Sequence, residues 1–260
     1  MRLLKARDDG GFSLTMFPVH PPPYAILSHT WQADDQEVKL KDIEHRGGTH
    51  KIGYKKIEFC ARQAQNDHLE YFWVDSCCID QSSSAELSTA INSMYRWYQN
   101  SVKCYVYMAD VSISSSSEWE SSFLRSRWFT RGWTLQELVA PKSIGFFSED
   151  GMYLGDKTQL EDLIHEITGI SIQVLRGHSP AQVGVEERLS WIANRDTKYG
   201  EDIVYSILGM FGIHMPPMYG ERAVHAFQRL GQEIEKSFTF TQPRTSTSRN
   251  SKAVEANQSG

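Results

Sequence analysis

Three clusters of polar and aromatic residues in the 260-residue chain could do chemistry. They are SHTW (Ser28–Trp31), DSCCIDQ (Asp75–Gln81) and RGWTLQE (Arg131–Glu137). The third cluster is the most specific, because Trp133 and Glu137 are four residues apart and share one face of a predicted helix. An indole beside a carboxylate can stack on a flat ring while it presents a negative charge.

Predicted strands and helices alternate along the chain around these clusters, and this alternation predicts an α/β fold with a parallel sheet. Four short apolar runs are typical of strands, namely YAILS from Tyr24, YFWVD from Tyr71, KCYVYMADV from Lys103 and SIGFFS from Ser143. Helical spacing predicts helices over Ile52–Asn66, Ser83–Asn100, the residues between Gly132 and Pro141, and Leu160–Thr168. Polar residues at the carboxyl ends of parallel strands form the usual ligand crevice, so the three clusters are expected to converge.

The remaining segments divide the chain into one domain and a tail. We predict a domain over 1–236, with an α/β core at about 24–170 and a helical extension at about 180–236. Residues Ser112 to Ser122 are serine-rich and predict a mobile surface loop. Residues 237–260 contain few apolar side chains, which indicates a disordered polar tail or a linker.

Composition argues against several classes of protein. The net charge of -5 and the pI near 6.0 disfavour a nucleic-acid surface. No apolar run approaches the roughly 18 residues of a membrane span, so we expect a soluble, cytoplasmic protein without a membrane partner. The four cysteines have neither disulfide-framework nor zinc-site spacing, which predicts reduced thiols and no metal. Phosphate-loop, dinucleotide-fingerprint, nucleophile-elbow and zinc-helix motifs are absent from the sequence.

Five sequence blocks resemble, in the right order, the signature blocks of the fungal heterokaryon-incompatibility (HET) domain family. They are YAILSHTW, YFWVDSCCIDQ, MYRWYQNS, SRWFTRGWTLQELVAP and EDIVYSILGMFGIHMPPMYGE. The resemblance spans roughly Tyr24 to Lys236. Several blocks in one order are far more specific than any single motif.

The resemblance also implies a distant relation to TIR domains, and with it a flavodoxin-like sheet. RGWTLQEL is similar to the tryptophan, three residues, glutamate pattern of TIR domains that cleave NAD, in which the glutamate is catalytic. By this resemblance Glu137 is the catalytic candidate, and NAD or a related nucleotide is the substrate, without a further cofactor. The candidate substrate-binding residues are Ser28, His29, Trp31, Asp75, Cys78, Arg131 and Trp133.

One carboxylate is chemically sufficient for NAD cleavage. Ordinary glycoside hydrolysis uses two carboxyl groups, one of which protonates the leaving oxygen. Nicotinamide instead leaves from a pyridinium that is already cationic, so no general acid is needed. A fixed carboxylate in a water-poor pocket can stabilise the positive charge that develops on the ribose.

Each of these residues also has a structural interpretation. Glu137 can be a helix-surface residue paired with Arg131 or Lys142, and Trp133 can be a core residue. Asp75 can cap the turn after its strand. Arg131 can hold a phosphate of a dinucleotide or pair with an acid such as Glu137.

Two other functions stay open at this point. A thiol nucleophile at Cys77 or Cys78, with His29 as its base, is a weaker alternative. The other is a non-catalytic death-signalling module that oligomerises and recruits a partner. The leading hypothesis is an incompatibility cell-death effector that hydrolyses NAD, or an NAD-like nucleotide, after self-association into a homo-oligomer. A sensor domain or an incompatibility partner protein is its expected protein partner.

Overall fold

Residues 1–113 and 119–241 are described by the structure, which is a computed structural model. Within this part of the chain, seven strands form one mixed sheet in the order β2-β1-β4-β3-β5-β6-β7. The strands are β1 (Arg2–Ala6), β2 (Phe12–Met16), β3 (Tyr24–His29), β4 (Tyr71–Trp73), β5 (Lys103–Met108), β6 (Ile144–Ser148) and β7 (Tyr153–Asp156).

The centre of the sheet is parallel and consists of the four predicted strands. Ile26 of β3 lies opposite Trp73 of β4 and Cys104 of β5, and β5 pairs with β6 in the same direction. Numbered along the chain, these strands lie in the order second, first, third, fourth, which is the flavodoxin-like order. Every residue of β3 is buried, as expected for a strand covered on both faces. The predicted α/β class is confirmed.

The edges of the sheet are antiparallel, which the sequence analysis did not predict. β1 and β2 form an N-terminal hairpin that joins the sheet where Leu4 lies opposite Phe72. β7 turns back antiparallel to β6. Both hairpin turns contain a glycine at positive φ, Gly10 and Gly151, a conformation that glycine adopts without strain.

Twelve α-helices occur among the described residues. They are α1 (Leu40–Glu44), α2 (Tyr54–Asn66), α3 (Asp75–Cys78), α4 (Ser84–Asn100), α5 (Trp119–Leu124), α6 (Thr134–Val139), α7 (Glu161–Thr168), α8 (Ile172–Leu175), α9 (Val185–Ser190), α10 (Asp202–Tyr205), α11 (Leu208–Phe211) and α12 (Arg222–Thr241). Two 3-10 helices are added, at Arg127–Thr130 and Pro180–Gln182. β4 lies on one side of β3 in the sheet and β5 lies on the other, so the connections from β3 to β4 and from β4 to β5 run across the sheet in opposite directions. Because crossovers between parallel strands are right-handed, α2 and α4 lie on opposite faces of the sheet.

Two segments differ from the sequence prediction. α5 begins at Trp119, so the later part of the predicted serine-rich loop is helical, while residues 114–118 lie outside the described residues. α12 continues to Thr241, so the start of the predicted disordered tail is helical. Residues 242–260 lie outside the described residues. No helix in the described part of the chain is long and apolar enough to cross a membrane.

Candidate active site

A cavity of about 520 Å³ lies where the ends of β3 and β4 meet α4, α6 and the C-terminal helices. This volume is in the usual range for small-molecule sites. Ile91 and Met94 of α4 contribute apolar wall. Six of the predicted site residues line the cavity, namely His29, Trp31, Asp75, Arg131, Trp133 and Glu137. The expected convergence of the three sequence clusters is therefore observed.

Glu137 lies on α6, a short helix whose residues are all buried. Only 3% of Glu137 is exposed. Its Oε2 accepts a hydrogen bond from the hydroxyl of Ser28, and the Ser28 Oγ accepts one from Trp128 Nε1 at 2.8 Å. Ser28 and Trp128 thus fix the position of the carboxyl group from the protein side.

The carboxyl group of Glu137 has no cationic partner in contact among the described residues. Burial raises its pKa from the ordinary value of 4.5 to about 8, and the nearby charge of Asp75 adds to the shift. The hydrogen bonds from Ser28 and Tyr98 and the more distant charge of Arg131 oppose it. The interpretation of Glu137 as a surface residue paired with Arg131 or Lys142 was wrong.

Asp75 and His29 form a second polar group on the cavity wall. Asp75 Oδ2 accepts a hydrogen bond from Trp31 Nε1 at 2.7 Å, and Asp75 Oδ1 lies 3.4 Å from His29 Nε2. Within the described residues, Asp75 Oδ1 and both ring nitrogens of His29 have no hydrogen-bond partner. A buried polar atom without a partner is costly, so a hydrogen bond to a bound molecule would stabilise these atoms.

Burial sets the charge states of both groups. It raises the pKa of Asp75 to about 6, with a further contribution from the charge of Glu37 and opposition from the Trp31 hydrogen bond. Burial, aided by the charge of Lys56, lowers the pKa of His29 well below 6.5. His29 is therefore a neutral imidazole at neutral pH.

Behind His29 lies a buried ion pair that does not line the cavity. Glu37 Oε2 accepts hydrogen bonds from Lys56 Nζ at 2.7 Å and from the backbone N–H of Gln32 at 2.8 Å. Lys56 Nζ also donates to the carbonyl oxygen of Thr30 at 3.2 Å. These bonds hold the loop that follows β3, which carries Trp31 into the cavity wall.

Ser28 and Cys78 do not line the cavity, although both were predicted to bind substrate. Ser28 is fully buried, because its side chain points from β3 toward Glu137. The Sγ of Cys78 accepts a hydrogen bond from the backbone N–H of Val74 at 3.4 Å. Ser28 contacts Glu137, and Cys78 packs within the core.

The thiol-nucleophile alternative has no support in this geometry. Burial raises the pKa of Cys77 well above its ordinary value of 9.0. A nucleophilic cysteine needs a thiolate, which such burial disfavours. His29, the proposed base, has no hydrogen bond to either thiol among the described residues. All four cysteines are buried and free.

The second wall of the cavity comes from residues that the sequence analysis did not select. Lys198, Tyr199, Asp202 and Tyr219 all lie in the C-terminal helical region and line the cavity opposite β3. The Tyr219 hydroxyl donates to Asp202 Oδ1 at 3.0 Å. Burial raises the pKa of Asp202 to about 6, against the hydrogen bonds from Tyr219 and Trp133. Asp202 and Tyr219 belong to the block EDIVYSILGMFGIHMPPMYGE, but no local pattern marks any of the four as a cavity residue, because they gain this position only through the tertiary fold.

The backbone of the C-terminal region is tied directly to the start of α6. The N–H of Gly132 donates to the carbonyl oxygen of Asp196 at 2.9 Å. A Cβ at Gly132 would lie 2.5 Å from Cγ2 of Thr197, so a larger residue here would require Thr197 to move. The buried guanidinium of Arg195 donates to the Arg131 carbonyl oxygen at 2.9 Å and to Thr134 Oγ1 at 3.0 Å. These contacts join the two walls.

The fold and the cavity define an α/β protein with a flavodoxin-like parallel centre and a buried carboxyl group at the strand-end crevice. Within the described residues, no cluster of His, Cys, Asp or Glu side chains is suited to hold a metal ion.

Comparison with known proteins places this fold in a family. The family model "Heterokaryon incompatibility protein (HET)" matches residues 24–117. Vegetative incompatibility protein HET-E-1 of Podospora anserina is 47% identical over 243 residues, which cover 91% of this chain and 18% of that protein. The chain therefore belongs to the HET domain family, as the sequence blocks predicted. It spans less than a fifth of the length of this relative. No solved structure matches the chain.

Proposed function

We propose that this chain is a heterokaryon-incompatibility effector domain that hydrolyses NAD to nicotinamide and ADP-ribose. The family supports the role in incompatibility. One observation carries the chemistry: the Glu137 carboxyl group is buried, has no cationic partner in contact, and lines a cavity with tryptophan walls. Perturbed carboxyl groups in clefts are typical of catalytic sites.

The proposed reaction breaks the bond between ribose C1′ and the nicotinamide nitrogen. The bonding electron pair moves to that nitrogen and neutralises the pyridinium, so nicotinamide leaves as a neutral molecule. Water then adds to C1′ and loses a proton to Glu137 or to solvent. The Glu137 carboxylate would stabilise the cationic ribose, while Asp75 Oδ1 and His29 would hydrogen-bond the ribose hydroxyls.

The raised pKa of Glu137 fits a cationic substrate. At neutral pH the empty site holds mostly the protonated form, because the pKa is about 8. A pyridinium beside the group favours its ionised form, so binding of NAD would itself produce the catalytic carboxylate. Activation by self-association in the cytoplasm, and a sensor domain or partner protein as the trigger, belong to the same proposal.

Nicotinamide release from NAD by the purified chain tests this function. Both the isolated and the forced-dimer protein should be assayed, because activation is proposed to need self-association. Glu137→Gln keeps the shape and removes the charge, and it should lower the rate at least 100-fold. Glu166→Gln is the matched control, since Glu166 is exposed on α7 and lies outside the cavity wall.

The non-catalytic signalling module makes the opposite prediction in cells. If the domain acts only by assembly, Glu137→Gln kills cells as well as the wild type does. No nicotinamide release by a folded, self-associated wild-type protein would also reject the enzymatic function.

A further inference from the structure

We propose that the C-terminal helical region forms a second half of the substrate site, which binds the adenosine diphosphate part of a dinucleotide. The inference rests on the proposed function, because it concerns the same cavity. It assigns to Lys198, Tyr199, Asp202 and Tyr219 a role in substrate recognition.

The charged groups of the cavity run from one wall to the other. The charge of Asp75 raises the pKa of Glu137, and the charge of Arg131 lowers it. Arg131 in turn influences Asp202 and Lys198. Arg131 lines the cavity, and its backbone forms a β-bridge with Asp196, two residues before Lys198, so Arg131 lies next to the C-terminal wall. An extended ligand with its reactive carbon near Glu137 reaches the C-terminal wall past Arg131.

Two cations suit the diphosphate. Within the described residues Arg131 makes no ion pair, so its guanidinium is available for the two-pronged hydrogen bonding that phosphate accepts. Lys198 Nζ pairs with Asp34 at 2.7 and 2.9 Å. Both side chains of this pair are more than half exposed, so the pair is weak and a diphosphate can displace Asp34.

Two tyrosines suit the base. Tyr199 and Tyr219 are 52% and 45% exposed, although both line the cavity. Their ring centroids are 5.4 Å apart with an interplanar angle of 66°, so together they form an angled aromatic surface. Exposed aromatic faces beside cations are the usual platform for stacked bases.

Asp202 supplies a hydrogen-bond acceptor beside Tyr219. It is buried, and its Oδ1 accepts from the Tyr219 hydroxyl. Its carboxyl group lines the cavity, where it can accept a hydrogen bond from a ribose hydroxyl or a base amino group. The C-terminal wall thus offers partners for a phosphate, a sugar and a base.

Calorimetric titration of the full chain with ADP tests this subsite without any turnover. Lys198→Gln and Tyr199→Ala should each weaken ADP binding about tenfold. Lys236→Gln and Tyr153→Ala are the matched controls, because Lys236 is an exposed, ion-paired lysine and Tyr153 is also 52% exposed, both outside the cavity wall. Circular dichroism checks that each variant is folded.

The outcomes separate this inference from the proposed function. Absence of ADP binding in the wild type, or unchanged affinity in either cavity variant relative to its control, overturns the subsite even if NAD is hydrolysed. Weakened ADP binding in both cavity variants, together with no nicotinamide release, supports the subsite and rejects only the hydrolysis.

Discussion

Glu37 and Glu137 are both buried carboxyl groups near the end of β3, but they differ in their partners and in their position relative to the cavity. Glu37 is 0% exposed and accepts hydrogen bonds from the Lys56 ammonium and the Gln32 backbone. Glu137 is 3% exposed and has hydroxyl groups rather than a cation as its partners. Glu37 lies behind the cavity, whereas Glu137 lines it.

Glu37 carries a charge that stabilises the fold, whereas the carboxyl group of Glu137 is free to interact with a ligand. A buried charge that has a cation and a backbone donor is compensated within the protein, and it holds two segments in register. A buried carboxyl group without a cation can lower its free energy by holding a proton or by meeting a cationic ligand. Burial alone therefore does not distinguish a catalytic carboxyl group from a structural one. The distinction depends on whether a cation of the protein contacts the group.

Removal of the cation beside Glu37 should have the largest effect on stability. Lys56→Met leaves a buried carboxylate uncompensated and should lower the free energy of unfolding by about 3–5 kcal/mol. Urea unfolding measures the loss. The double variant Glu37→Gln, Lys56→Met should recover much of it, because no charge is then left unpaired.

A surface pair supplies the control for this variant. Lys5 and Glu70 form an ion pair in which both side chains are about half exposed. Lys5→Met should leave the urea midpoint close to that of the wild type. Equal midpoints for Lys56→Met and Lys5→Met would show that Glu37 does not depend on its buried cation.

Substitution of Glu137 should stabilise the protein at high pH. Folding raises the pKa of Glu137 from 4.5 to about 8, so between these values the folded state binds one proton more than the unfolded state. Its stability therefore falls as the pH rises through this window. Glu137→Gln removes the penalty and should gain on the order of 5 kcal/mol at pH 9, with little difference near pH 5.

Urea unfolding of both proteins at several pH values measures this difference. Asp75 and Asp202 also have raised pKa values, but both proteins contain them, so their contributions largely cancel. A stability difference that does not vary with pH would mean that Glu137 titrates normally.

The central strands, the crossover helices and one wall of the site could be predicted from sequence, because each depends on local patterns. The run YAILS is apolar throughout, and β3 is buried throughout. The Trp133 and Glu137 spacing placed both residues on the cavity wall. The N-terminal hairpin was missed although Asp9-Gly10 between two short apolar runs is a hairpin signal.

The second wall could not be predicted in the same way. Lys198 and Tyr199 lie outside the five family blocks, and Asp202 lies in a block whose spacing does not mark it as a site residue. The close contact between Gly132 and Asp196 brings this segment to the cavity. The roles of Ser28 and Cys78 also could not be predicted from the sequence. Their positions followed from strand order, but the direction of each side chain depends on packing. The family resemblance is confirmed, and NAD cleavage stays a prediction.

The pH dependence of kcat/KM for nicotinamide release tests the role of Glu137 most directly, because kcat/KM reports groups of the free enzyme. We expect the wild-type value to rise with a midpoint near pH 8, and to be about tenfold lower at pH 7 than at its plateau. The midpoint for kcat should be lower, since bound NAD favours the carboxylate. Burial lowers the pKa of Lys157 to about 8, so titration of Lys157 could give a similar midpoint. The Glu137→Gln variant keeps Lys157 and therefore shows any contribution of this lysine to the pH dependence. A wild-type kcat/KM that is constant between pH 6 and pH 9, or the same rise in the variant, would contradict a catalytic Glu137.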